Sequence, residues 1–161
     1  MVRIPDNFNP EERGERARDF FLQGYNCCQA VLLAFADVLE ADEDLLKTVG
    51  SGFGGGFARM REVCGSFSAC TVLAGFIRPS ATPGMEERRA NYALVQEMAA
   101  AFRERNGGSI VCAELLGLRD RKPESPAPSE RTPEFYSKRP CPGIICNAAV
   151  IAAEKMKEAA R

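Results

Sequence analysis

Apolar residues recur along this chain at helical spacing, and no useful length of it alternates apolar and polar residues as a half-buried strand would. Asn9-Pro10-Glu11-Glu12 is a helix start, with Asn as N-cap, Pro at the first helical position and Glu three residues after the cap. Ala17, Phe20 and Phe21 continue its apolar stripe, and Gly24 fits its stop. A second helix opens at Asn26, with Gln29 where a capping-box partner belongs, and runs through Ala30, Val31, Leu33, Ala34, Phe35 and Val38. Cys27, Val31 and Phe35 stand at i, i+4 and i+8, so they point one way, toward the core.

Asp42 caps a short helix, Glu43 to Val49. Cys64 to Ile77 reads as a helix of small residues, whose face admits a close neighbour and offers a seam for a homodimer. Thr82-Pro83 restarts a helix that runs to about Arg105, with Tyr92, Val95, Ala99 and Phe102 as its seam. Ser109 caps a short helix, Ile110 to Leu116, and the last helix runs from about Ile144 to Arg161. These elements predict an all-α fold: one domain over residues 1–161, a compact bundle of six or seven helices behind a loose lead-in at 1–8.

Two connections stand apart. Gly50 to Gly56 is too rich in glycine for a helix interior, where each glycine costs about 1 kcal/mol against alanine. It is expected to be a loop that takes positive φ and approaches a neighbour closely. It lacks the Lys-Ser/Thr of a phosphate-binding loop and follows a helix rather than a strand, which argues against nucleotide binding. Residues 119–140 carry Pro123, Pro126, Pro128, Pro133 and Pro140, and predict an irregular loop or flap of the length that often serves function.

Charge narrows the partners. Among 161 residues, 21 Lys and Arg face 22 Asp and Glu, so nothing in the net charge of -1 favours nucleic acid or an anionic membrane. With no signal-peptide pattern and no long apolar run, the expected location is cytoplasmic, without membrane insertion. Seven cysteines in a reducing compartment point to metal binding, redox chemistry or buried thiols rather than a disulfide framework. The absence of histidine excludes Cys-His and Ser-His-Asp catalysis and mixed Cys/His zinc sites.

Cys27, Cys64, Cys112 and Cys141 share a property that Cys70 and Cys146 lack. Each falls at a predicted helix start or loop-to-helix junction, where unpaired N–H groups favour a thiolate and lower its pKa. Their separations of 37, 48 and 29 residues match neither zinc knuckles nor ferredoxin spacings, so only the fold can bring them together. Gly24-Tyr25-Asn26-Cys27, the Gly52-to-Gly56 loop, Glu62-Val63-Cys64-Gly65, Cys112 before Leu115-Leu116-Gly117, and Cys141 before the last helix together resemble the redox-active protein family named for its C_GCAxxG_C_C pattern. The resemblance spans roughly Ala17 to Met156 and, carried over by position, places the family's four cysteines on the same four residues. Cys28, Cys70 and Cys146 are extras. The chain departs from the pattern at Cys64-Gly65-Ser66-Phe67-Ser68-Ala69, where Ser66 replaces alanine and Ala69 replaces glycine. The resemblance also implies kinship with a domain of multihaem cytochrome-like proteins that carry an iron–sulfur centre, although this chain has neither the haem-attachment motif nor a histidine.

Three functions follow from this inventory. One is a thiolate-ligated centre held by Cys27, Cys64, Cys112 and Cys141, most naturally [2Fe–2S] with Zn as the alternative, for electron transfer to a redox partner protein or for redox sensing. The second needs no metal: two of the four cycle between dithiol and disulfide, with Arg59, Arg61 or Arg139 helping to hold a thiolate. The third is a non-catalytic helical binding module with inert buried cysteines. Arg59 and Glu62 read as solvated surface charges, and Tyr25 as packing beside a helix cap.

Overall fold

The computed structural model describes residues 2–161 and is all-α; Met1 of the expected lead-in lies outside the described residues. The helical segments are α1 (Pro10–Leu22), α2 (Cys27–Leu33), α3 (Ala36–Leu39), α4 (Glu43–Gly50), α5 (Gly54–Phe57), α6 (Gly65–Ile77), α7 (Met85–Arg105), α8 (Cys112–Leu115), α9 (Pro133–Lys138) and α10 (Cys141–Ala159). α5 is a glycine turn rather than a helix, because Gly55 and Gly56 have φ of 68° and 69°. Among the described residues that leaves nine helices against the six or seven expected, and no strand beyond a single antiparallel bridge, Val63 to Val111. None of these helices is long and apolar enough to cross a membrane.

The caps act as the sequence dictates. Asn9 Oδ1 accepts from Glu11 N, Asn26 and Gln29 form a reciprocal capping box, and Asp42 accepts from Leu45 N. The expected second helix, however, breaks at Ala34-Phe35, which separates α2 from α3. The cause is Arg13, a buried guanidinium whose Nη1 donates to Ala34 O at 2.8 Å. That carbonyl is thereby withdrawn from the helical ladder, and Val38 N bonds Phe35 O instead. Arg13 also pairs with Asp37 through both nitrogens, at 2.6 and 3.0 Å, so its buried charge is compensated.

The core is built by α2, α6 and α10 with α1 and α7 packed around them. Phe35, Phe102, Leu32, Leu73, Met98 and Ile151 are among its largest fully buried side chains. The small-residue face of α6 lies inside the chain: Gly65, Ser66, Ala69, Cys70 and Ala74 are all buried. The Cys70 thiol donates to Ala148 O of α10 at 3.4 Å, and Cys28 is wholly buried in the same core. In α7 the seam is rotated from the expected one. Leu94, Met98, Ala99 and Phe102 are buried while Tyr92 is 59% exposed, because α7 meets the bundle along its i, i+4, i+8 row from Leu94. The lead-in lies against the core, with Phe8 buried under the Arg13 guanidinium.

The proline-rich segment is ordered by its ends. Glu124 N donates to Arg59 O at 3.1 Å, and Thr132 caps the short helix α9, which the sequence pattern left as loop. Arg131 Nη1 and Nη2 donate to Phe21 O and Tyr25 O at 3.2 and 3.3 Å, and Tyr136 OH adds to Leu22 O. These carbonyls belong to the end of α1 and the turn after it; Phe21 O also accepts from Gly24 N at 3.0 Å.

Candidate functional site

Cys27, Cys64, Cys112 and Cys141 come from four separate helix starts, and all four line one cavity of about 340 Å³. Cys27, Cys112 and Cys141 each occupy the first helical position of α2, α8 and α10, and Cys64 is the N-cap residue of α6. Cys28, Cys70 and Cys146 do not line it. Cys146 sits 4.0 Å from Glu15 on the far side of α10.

Backbone contacts set the positions of these sulfurs. Cys64 N donates to Ile110 O at 2.8 Å and Cys112 N to Glu62 O at 2.6 Å, on either side of the Val63–Val111 bridge. Gly65 allows Cys27 to sit directly against α6, since a Cβ there would overlap the Cys27 sulfur and lie 2.7 Å from Phe53 O. Gly56 does the same for Cys112: a Cβ would lie 2.6 Å from the Cys112 Cβ. Gly54 clears Asn26 in the same way.

The glycine loop leads into an unusual stretch. After Gly55 and Gly56, Phe57, Ala58, Arg59 and Arg61 also take positive φ, between 51° and 66°. Each non-glycine residue there costs roughly 1–2 kcal/mol. Backbone bonds across six positions, Arg61 N to Gly55 O and Glu62 N to Gly56 O, hold the left-handed turn. Its result is that Arg61 is turned inward, only 4% exposed, with Nη1 donating to the Cys112 sulfur at 3.6 Å. Arg59 is turned the other way and binds Ser125 O, Ser129 Oγ and Glu124 Oε1. Glu124 closes the group by accepting from both Arg59 and Arg61. The reading of Arg59 as a solvated charge is therefore corrected: it clasps the proline-rich segment over the cavity. Glu62 pairs with Arg121 at the surface, and Tyr25 packs edge-on to Phe20, as expected.

The electrostatics reverse one expectation. Burial pushes the Cys27 and Cys64 thiols up and Cys141 up to about 11, against the lowering expected at helix starts. The helix-start effect is present: the N–H groups of Gly55 and Cys28 act on Cys27, and those of Ser66 and Phe67 on Cys64. It is outweighed by desolvation and by neighbouring sulfurs. Cys27 is the shared neighbour, since its charge bears on both Cys64 and Cys141 and that of Cys112 bears on it.

Two features escaped the sequence reading. Ser66 is 1% exposed and lines the cavity, and its hydroxyl, which meets no other partner, acts on the Cys64 sulfur to favour the thiolate. Arg131 lines the cavity beside Arg59, Arg61 and Arg139, the three arginines that the sequence did put forward. The Ser66 substitution within the family motif was the available signal for the first; no motif announced Arg131.

Four thiols suit a soft metal in chemistry. Among the described residues no group of three or more His, Cys, Asp or Glu is arranged to hold a metal ion. Comparison with known proteins gives one match: the model of the family described as "Putative redox-active protein (C_GCAxxG_C_C)" covers residues 25–155. No curated protein and no solved structure matches the chain.

Proposed function

This chain belongs to the C_GCAxxG_C_C family of redox-active proteins, and on that premise we propose that it works by thiol–disulfide chemistry inside the cavity, with Cys112 as attacking thiol and Cys27 as its resolving partner. The observation that carries this reading is that four cysteines far apart in sequence line one cavity while the three extra cysteines do not. Arg61 supports Cys112 as the attacker, because a buried guanidinium donating to a sulfur is the partner that a thiolate uses best. Cys27 supports the resolving role because its charge couples to those of Cys64, Cys112 and Cys141. Cys64 and Cys141 are alternative resolving thiols. A [2Fe–2S] or zinc centre on the same four residues is the second reading; its support is their shared cavity and the softness of four thiolates.

The test is equilibration of the anaerobically purified protein in thiol redox buffers, followed by thiol counting and peptide mapping. Two thiols per chain lost and regained together, mapped to Cys27–Cys112, is the expected result, with Cys28 and Cys70 unmodified. An absence of reversible thiol loss overturns it. Iron with acid-labile sulfide in the purified protein, lost in C64S, replaces it with the cluster reading.

A further inference from the structure

The cavity walls carry a charge that disulfide exchange alone does not need. Arg59, Arg61, Arg131 and Arg139 line it, and no Asp or Glu does. Glu124, behind the wall, is the counter-ion of Arg59 and Arg61. Among the described residues Arg131 and Arg139 make no ion pair within 4.0 Å, although the charge of Arg139 also acts on Glu124: Arg131 donates to two backbone carbonyls and stacks on Phe21 at 4.3 Å, and Arg139 stacks on Phe135 at 5.1 Å. Each guanidinium has five N–H donors, so both retain donors for a ligand. The chain's net charge is -1, which makes this excess a local construction.

The remaining wall is apolar, with Leu115, Leu116, Pro126, Pro128 and Ile144, and the volume of about 340 Å³ falls at the small end of small-molecule sites. Ser66 adds a buried hydroxyl at the sulfur end, beside Cys64. Apolar walls select a carbon skeleton, guanidiniums select carboxylates, and the sulfurs select a group that exchanges with thiols.

We propose that the cavity takes a small carboxylate-bearing disulfide as its oxidant, and the corresponding thiol as its product; this rests on the thiol–disulfide reading above. The Cys112 thiolate attacks one sulfur of R–S–S–R, the S–S bond breaks, and RS⁻ leaves with the bonding pair. The Cys27 thiolate then attacks the Cys112 sulfur of the mixed disulfide and expels the second RS⁻. The protons of the two cysteines end on the two released thiols, so one disulfide is reduced to 2 RSH as Cys27–Cys112 forms. Arg131 and Arg139 hold the carboxylates throughout.

The experiment compares the reduced protein's reaction with dithiodiglycolate (dianionic), bis(2-hydroxyethyl) disulfide (neutral) and cystamine (dicationic), each rate divided by that of free 2-mercaptoethanol with the same disulfide. The expected order is dianion, neutral, dication, with the dianion ahead of the neutral compound by about tenfold or more at low salt, and the gap narrowing as ionic strength rises. R139Q, which removes no hydrogen bond to the fold, is expected to narrow the same gap; R131Q is the second variant. Equal normalised rates, or a gap insensitive to salt, overturn the proposal, and a Cys27–Cys112 bond formed in that case leaves the underlying reading standing. Failure of every probe to produce an internal disulfide overturns both.

Discussion

Replacing Gly65 by Ala probes the contact on which the cavity is built. A Cβ at this position would overlap the Cys27 sulfur and stand 2.7 Å from Phe53 O. A comfortable contact needs the carbonyl to retreat by about 0.5 Å or more, and that carbonyl begins the glycine loop. The sulfur can rotate away, but the backbone cannot move without disturbing the left-handed turn. Overpacking of this kind costs about 1–3 kcal/mol. Gly75, on the same helix, is the internal control: nothing lies within 4 Å of its added Cβ, so G75A is expected to stabilise by about 0.5–1 kcal/mol. In urea unfolding, where m is about 1–3 kcal/mol/M, G65A lowers the midpoint by roughly 1 M and G75A raises it by a few tenths. Alkylation of Cys27, followed by mass spectrometry, should also accelerate in G65A alone. If G65A is as stable as G75A and Cys27 reacts at its native rate, the close approach of α6 to Cys27 is refuted.

Two further changes test the clasp and the strained turn. Ala58 takes φ 51°, so A58G is expected to raise stability by about 0.5–1 kcal/mol, a Tm rise of about 1–4 °C; a fall in Tm refutes the strain. The Arg61 hydrogen bond, with the charges of Arg61, Arg59 and Arg139, holds the Glu124 carboxyl below its usual range. Because the folded value is depressed, the clasp's contribution is complete above the usual carboxylate pKa of ~4.3 and is lost as pH falls through the lower folded value. Hydrogen exchange of residues 119–132, corrected for intrinsic rates, should hold steady from pH 7 to about 5 and rise below about 4. E124Q should show the loosened exchange at pH 7, and an unchanged profile in E124Q would dismiss the clasp.

Local chemistry made the caps legible: Asn9, Asn26 with Gln29, and Asp42 act through residues three or fewer positions away. The four helix-start cysteines were legible for the same reason. What escaped was non-local. The break at Phe35 comes from Arg13, reaching across from another helix to take one carbonyl. The phase of the α7 seam depends on which neighbours it meets, and Tyr92 fits an apolar row as well as Leu94 does until they are placed. Thiol acidity was misjudged because helix-start N–H groups are written in the sequence, whereas the burial that outweighs them is not. Arg59 and Arg131 gained their roles from a proline-rich segment more than sixty and more than one hundred residues away from the groups they tie to it.

The bridge between Val63 and Val111 bears on how the protein comes to be folded. It joins segments 48 residues apart through main-chain bonds alone, so its formation must wait for α6 and α7 to close the intervening loop. Before that moment Cys64 and Cys112 have no fixed separation. An oxidant that meets the unfinished chain therefore encounters seven ordinary thiols free to pair at random, whereas the folded chain offers only the pairs its cavity permits. Reducing conditions during folding decide which of these two molecules is made.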